Sequence, residues 1–206
     1  MEFSEVALNR RMTRDFSPKK VPRETIVAVS KLALTSPTAG NCRGVEMLIL
    51  SEEHPLAVFW ASSTTKQWRE KGGKSGVKRS PVIVIPLYCT EKYLKRYAMD
   101  DKANSALYKK TADRWEVPFW ITDVSFAVMT LLLAAQNCGL GALFFQLHRP
   151  PRKVLDSLGV PEGYGTIGAV ALGYADADPP TGLPPNGPDA WILPPGNDAR
   201  IHIDSW

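Results

Sequence analysis

The sequence predicts one domain of interleaved helices and strands that ends in an extended carboxy-terminal arm. Three observations carry this reading. Apolar residues switch between helical spacing, as at Ile26, Val29 and Ala33, and short aliphatic runs of strand length, as at Val45 to Leu50 and Val82 to Leu87. After Tyr174 the composition changes, with seven of the chain's 17 prolines and three glycines between Ala175 and Trp206. A chain of 206 residues is long enough for one substantial core and too short for two full domains.

Taken in order, Phe3 to Arg11 can form a short helix, and Pro18 and Pro22 then break the chain. Pro22 can start the helix that carries Ile26, Val29 and Ala33, and Pro37 closes it. Val45 to Leu50 and Val82 to Leu87 read as buried strands, with His54 to Ala61 helical between them. The basic run Lys66 to Arg79 reads as a mobile surface loop, a phosphate-contacting segment being the other option. Residues 90 to 117 lack a strong apolar period and suggest an exposed helical excursion carrying Tyr93, Tyr97, Tyr108 and Trp115. Trp120 to Cys138 is a core helix with Gly139 as its C′ residue, and Leu140 to Leu147 follows as a strand. Pro150 and Pro151 introduce a helix through Leu158, and Thr166 to Tyr174 is the last strand. The domain thus spans residues 1–174. In the arm, 175–206, regular structure is not expected, but Trp191, Ile192, Leu193, Ile201, Ile203 and Trp206 can anchor it on its own or a partner subunit.

Hydrophobic content of 44% with 22% charged residues argues against disorder and fibrous repeats. A formal charge of +4 favours anionic ligands without choosing among them, and no nucleic-acid-reading motif is present. Cys42, Cys89 and Cys138 form no CxxC and no clustered metal set, which fits a reducing cytoplasm. An acidic stretch after Met1 predicts no secretory leader, and polar residues flanking the apolar part of Trp120 to Cys138 predict no membrane span.

Several familiar chemistries fail on their own spacing. Gly73-Lys74-Ser75 has Trp68 where a phosphate-binding loop needs glycine, and Gly139-Leu140-Gly141 follows a helix and has Phe144 at the third glycine position. No GxSxG occurs, and His54, His148 and His202 have no patterned nucleophile. With no nucleophile, metal set or paired acids, an organic cofactor held by cations and backbone becomes the better expectation. Arg10-Arg11-Met12-Thr13-Arg14 is either a solvated pair at a helix end or a phosphate grip. Pro37-Thr38-Ala39-Gly40-Asn41 is either a turn or a backbone platform for a planar ligand.

Together these segments resemble the nitroreductase family, whose members open with an RRSxRxF-like motif followed one helix later by PSAxNxQPW. The resemblance continues through Gly139-Leu140-Gly141-Ala142, Leu158 to Tyr164 and Ala171 to Tyr174, and so covers about residues 5 to 175. Trp115 to Asp123 and Trp206 resemble an actinobacterial subgroup.

The resemblance implies an α+β fold with a mixed, mainly antiparallel sheet flanked by helices, a homodimer, and FMN at the subunit interface reduced by NAD(P)H. It places Arg10, Arg11, Met12, Arg14, Pro37, Thr38, Asn41, Arg43, Gly141 and Arg200 around the cofactor, with no catalytic side chain required. Tyr108, Trp115, Phe119 and Trp120 either line the substrate pocket or pack in the core. Small acceptors such as nitroaromatics or quinones are expected, with flavin storage or sensing, dehydrogenation, dehalogenation and flavin degradation as alternatives. Met12 replaces the usual Ser, Arg43 the usual Gln and Gly44-Val45 the usual Pro-Trp, while Arg200 is the only Lys or Arg after Tyr174.

Overall fold

The structure is a computed structural model that describes residues 2–70, 75–176 and 198–206. Its centre is a six-stranded sheet. The strands are β1 (Val45–Leu50), β2 (Val82–Cys89), β3 (Gly141–Phe145), β4 (Tyr164–Thr166), β5 (Ala169–Gly173) and β6 (Ile201–Ile203). They run in the order β3-β5-β2-β1-β6, with β4 beside the end of β2. Every pairing is antiparallel except β1 with β6, so the sheet is mixed and mainly antiparallel.

Both faces are covered, which is why the inner strands are largely apolar, with Glu46 a buried exception in β1. Val45, Met47 and Ile49 point to one face with Val82, Val84, Val170 and Leu172. Leu48 and Leu50 point to the other with Ile83, Ile85, Ala169 and Ala171, as the two-residue period of a strand demands. Helix α1 (Phe3–Asn9) precedes α2 (Arg23–Ala33), which starts at Pro22 and lays Ile26, Val29 and Ala33 onto the first face. Helices α3 (Glu53–Ser63), α4 (Lys66–Glu70), α5 (Ser75–Lys78) and α6 (Thr90–Tyr97) follow. The nineteen-residue α7 (Phe119–Asn137) packs beside α2 through Val124, Ala127, Val128 and Leu131. On the second face sit Phe59 of α3 and Val154 and Leu155 of α8 (Pro151–Ser157).

Among the described residues α7 is the one helix long and apolar enough to cross a membrane, and half of that window is buried inside the protein. It ends at a left-handed Gly139, φ +71°, as expected.

Five expectations are corrected. The Lys66–Arg79 run is not a plain loop: its described parts are α4 and α5, Val77 is buried, and Trp68 stacks on Trp60. The 90–117 excursion is α-helical only to Tyr97, with short 3-10 turns at Asp100–Lys102 and Ala112–Arg114 beyond it, and is not exposed throughout, because Tyr93 and Trp115 are buried. The last predicted strand breaks at Ile167–Gly168, where Gly168 adopts φ +151° and Thr166 Oγ1 bonds back to the Pro86 carbonyl. Helix α2 stops at Ala33, before Pro37, in a turn that Thr35 closes on the Leu32 carbonyl. In the arm, residues 201–203 are a regular strand, added in parallel to β1 through Met47 N–H to the Arg200 carbonyl at 2.7 Å. Trp191, Ile192 and Leu193 lie outside the described residues, whereas Ile201 and Ile203 pack on the first core face and Trp206 on the second.

Candidate functional site

Two backbone segments carry the residues singled out in the sequence, and each is built by close packing against a named element. Helix α1 stops at Asn9, and Arg10 closes its last turn with N–H to the Val6 carbonyl at 3.0 Å. The chain then runs extended beside β3, where Met12 bridges Ala142 in parallel and Thr13 N–H donates to the Ala142 carbonyl at 2.9 Å. A Cβ on Gly141 would stand 2.4 Å from Thr13 Oγ1, so this approach requires glycine. Fully buried Phe16 pins the far end.

The cations of this strip differ in their partners. Arg11 bonds the Leu8 carbonyl at 2.6 Å, and Arg14 bonds the Met12 carbonyl at 3.2 Å. Arg10 has its Nη1 buried with no hydrogen-bond partner. Leaving such a group unpaired costs about 1–3 kcal/mol, more when charged, and an arriving anion removes that cost.

Arg14 also lines a cavity of about 350 Å³. Its wall is aromatic: Trp60 lies nearly parallel to Phe145 at 6.0 Å and to Trp68 at 6.3 Å, and Trp68 tilts onto His148 at 5.7 Å. The buried hydroxyl of Ser63 lines the same cavity without a hydrogen-bond partner.

The second segment, residues 37–44, is a strained turn against the start of α7. Gly40, Asn41 and Arg43 all adopt left-handed φ, at 62°, 55° and 50°. Ala39 N–H donates to Asp123 Oδ2 at 2.7 Å, Arg43 N–H to Thr38 Oγ1 at 3.1 Å, and Arg96 Nε–H to the Gly40 carbonyl at 2.7 Å. A Cβ on Gly44 would fall 2.2 Å from the Tyr93 ring, which explains why proline is not accommodated there. Burial pushes the Asp123 carboxyl up against the opposing Ala39 bond, and it pushes the Cys42 thiol up with Asp123 adding to the effect. Burial likewise raises the Tyr93 hydroxyl, which lies in the field of Cys42 and Asp123.

The model of the nitroreductase family matches residues 7–174. The chain belongs to the nitroreductase family. An Archaeoglobus fulgidus relative with the provisional name NADH dehydrogenase/NAD(P)H nitroreductase is 24% identical over 178 residues, 84% of this chain and 85% of its own. A nitroreductase family protein from Clostridium novyi NT superposes with a TM-score of 0.70 at 16% identity, covering 100% of this chain and 95% of its own. An FMN-dependent nitroreductase from Clostridium difficile R20291 gives 0.62 at 22% identity, over 84% and 87%.

In this nitroreductase-family chain Arg10, Met12, Arg14 and Gly141 come together, and Pro37, Thr38, Asn41 and Arg43 form the other group. The two groups lie toward opposite ends of α7. The second docks on Asp123, while the first sits on β3, which begins just after the helix ends. From Asp123 to Asn137 the helix rises about 21 Å at 1.5 Å per residue. Met12 packs against both core clusters, so its side chain serves the core. Arg200 is held by Asp198, with Nη2–Oδ2 at 2.7 Å and Nε–Oδ1 at 3.0 Å, and its Nη1 reaches the Leu34 carbonyl at 3.4 Å. Burial raises the Asp198 carboxyl, but the Arg200 bonds outweigh it and hold it low.

Trp115, Phe119 and Trp120 form one aromatic cluster with Tyr93 and Tyr97, and Trp115 is buried within it. Tyr108 is placed apart from those ring contacts, with Lys109 over its ring at 4.7 Å. Sequence reasoning missed Trp60, Ser63 and Trp68 in the cavity and Asp123 and Arg96 beneath the turn. The aromatic spacing of Trp60 and Trp68 was a usable signal; nothing local marks the other three. Among the described residues no group of three metal-ligating side chains occurs.

Proposed function

We propose that this chain is an FMN-dependent oxidoreductase that passes hydride from NAD(P)H to small oxidised acceptors such as nitroaromatics or quinones, working as a cytoplasmic homodimer. On residues 115–123 and Trp206 we place it with the actinobacterial subgroup. The observation that carries the reading is the buried, unpartnered Nη1 of Arg10 beside the close strand approach at Gly141. The cation suits a phosphate-bearing group, which it would meet through charge-assisted hydrogen bonds, and the glycine lets the strip that carries it lie against β3.

FMN bound there would supply the two-electron chemistry, so no side chain need act as nucleophile. The protein's share is binding and exclusion of water. Arg10 and Arg14 neutralise anionic oxygens, Asn41 and Arg43 present polar groups from a pre-shaped turn, and the Trp60–Trp68–Phe145 wall offers a dry face for a flat acceptor. Because the two segments lie toward opposite ends of α7, one cofactor is best served by segments of two protomers. Phe126 and Met129 on α7, 47% and 45% exposed, and Phe3 and Leu8 on α1 provide the apolar surface for that pairing.

The test is native purification followed by a visible absorption spectrum, then anaerobic addition of FMN and NADPH. A bound flavin whose visible band bleaches supports the reading; failure to bind FMN in excess overturns it.

A further inference from the structure

We infer that Arg96 and Asp101 form a positioning strut that holds the strained turn 37–44 in the shape that presents Asn41 and Arg43. This rests on the reading of that turn as a cofactor platform. The turn needs an external hold, because two non-glycine residues, Asn41 and Arg43, sit at φ 55° and 50° beside Gly40 at 62°, and each such residue is costly unless its surroundings fix it. Its internal bonds are few: Asn41 N–H to the Thr38 carbonyl at 2.8 Å, Cys42 N–H to the Ala39 carbonyl at 3.3 Å, and Arg43 N–H to Thr38 Oγ1.

Two outside groups of opposite charge take hold of adjacent residues of the turn. Asp123, buried on α7, accepts the Ala39 N–H. Arg96, near the end of α6, donates Nε–H to the Gly40 carbonyl at 2.7 Å. Alone, a long arginine side chain is a poor fixture, because it loses much rotamer freedom when held. Here its other two nitrogens are taken up by Asp101 in a fork, Nη1–Oδ1 at 2.7 Å and Nη2–Oδ2 at 2.6 Å, which fixes the guanidinium plane and so the direction of the Nε–H bond. Gly40 completes the fit, since a Cβ there would meet Tyr97 at 3.1 Å and Arg96 Cγ at 3.2 Å. Neither Arg96 nor Asp101 belongs to the motifs that mark the turn. The strut therefore ties the shape of the platform to the end of α6 and the segment after it, which supply Tyr97 and Trp115 to the aromatic cluster.

The experiment compares wild type with Asp101→Asn, Arg96→Gln and the conservative Asp101→Glu. Two readouts are taken on the full chain: the rate of thiol alkylation at Cys42, assigned by peptide mass, and the dissociation constant for FMN. Cys42 lies inside the turn and is half-buried, while Cys89 and Cys138 are buried and report any global loosening. Asp101→Asn and Arg96→Gln are expected to raise Cys42 alkylation and weaken FMN binding by about fivefold each, with the melting temperature kept within about 2 °C. Asp101→Glu should recover most of both.

Unchanged Cys42 alkylation in Asp101→Asn and Arg96→Gln overturns the strut, whether or not flavin binds. Faster alkylation with an unaltered FMN constant also overturns it as a positioning device. Parallel loosening of Cys89 and Cys138 assigns the pair to general stability instead and overturns it too. A wild type that binds no FMN defeats the cofactor reading separately, and the alkylation rates still decide whether the turn is held by the pair.

Discussion

His202 on β6 places Nε2 2.7 Å from Oε2 of Glu46 on β1, so the strand that joins the sheet last in sequence is fastened by a buried carboxylate near its start. Tyr164 donates its hydroxyl to the other oxygen at 2.8 Å, Lys92 pairs with it from α6, and Trp206 stacks on the His202 ring at 3.7 Å.

Burial pushes the Glu46 carboxyl up, but bonds from Lys92, His202 and Tyr164 outweigh it and hold it below the usual carboxylate range. A depressed carboxylate adds stability that is complete above its unfolded pKa of about 4.3 and is lost as pH falls through the folded value. Thermal unfolding should therefore show the wild type losing stability below about pH 4. Glu46→Gln should cost about 3 kcal/mol at pH 7 and flatten that acid slope. Parallel slopes for the two proteins would remove Glu46 as the cause.

Arg10 should show a trade between stability and ligand affinity. Arg10→Met removes a buried nitrogen that has no partner, so the ligand-free protein should melt no lower than wild type. FMN affinity should drop roughly 10- to 100-fold, the worth of one charge-assisted contact. Calorimetric titration beside a melting curve checks both; a variant that binds FMN normally ends the phosphate role of Arg10.

Gly141→Ala forces a methyl to within 2.4 Å of Thr13 Oγ1 and 2.8 Å of Thr13 Cβ. Overpacking of this kind costs about 1–3 kcal/mol, and Thr13→Gly in the same chain should recover much of it. Denaturant unfolding of the single and double variants gives the coupling directly, and additivity between them would contradict the contact.

Charge placed on the exposed face of α7 tests assembly. If two copies pair through α7 as proposed, Phe126→Lys with Met129→Lys should shift the protein from dimer to monomer by light scattering and weaken FMN binding with it, while leaving the buried stripe of α7 intact. A dimer that persists would move the interface elsewhere.

Local signals were enough for β1, whose bounds Val45–Leu50 match the apolar run, and for the Ile26-Val29-Ala33 stripe of α2. Both are periods that a buried face imposes on its own residues. β6 was not legible, because three residues in a proline-rich context become a strand only by pairing with β1, more than 150 positions earlier. The exposed-excursion reading of residues 90–117 failed for a related reason: at Trp115 the charged neighbours Arg114 and Glu116 speak for solvent, while Tyr97, Phe119 and Trp120 bury the ring, in line with the core-packing alternative for that residue. At the site, Arg10 to Arg14 and Thr38 to Arg43 were readable as clusters of unusual residues. Asp123 and Arg96 were not, since each acts on a peptide group that any sequence could supply.

The strip at Met12 and the strand Ile201–Ile203 lie along the two opposite margins of the sheet, on β3 and on β1. Each takes up backbone groups that a stray extended chain would otherwise recruit, so the long inner strands offer little template for lateral growth. Crowded at high concentration, such a molecule is steered to meet its neighbours through side chains on helices, where shape and charge can discriminate, and away from indiscriminate strand-to-strand adhesion.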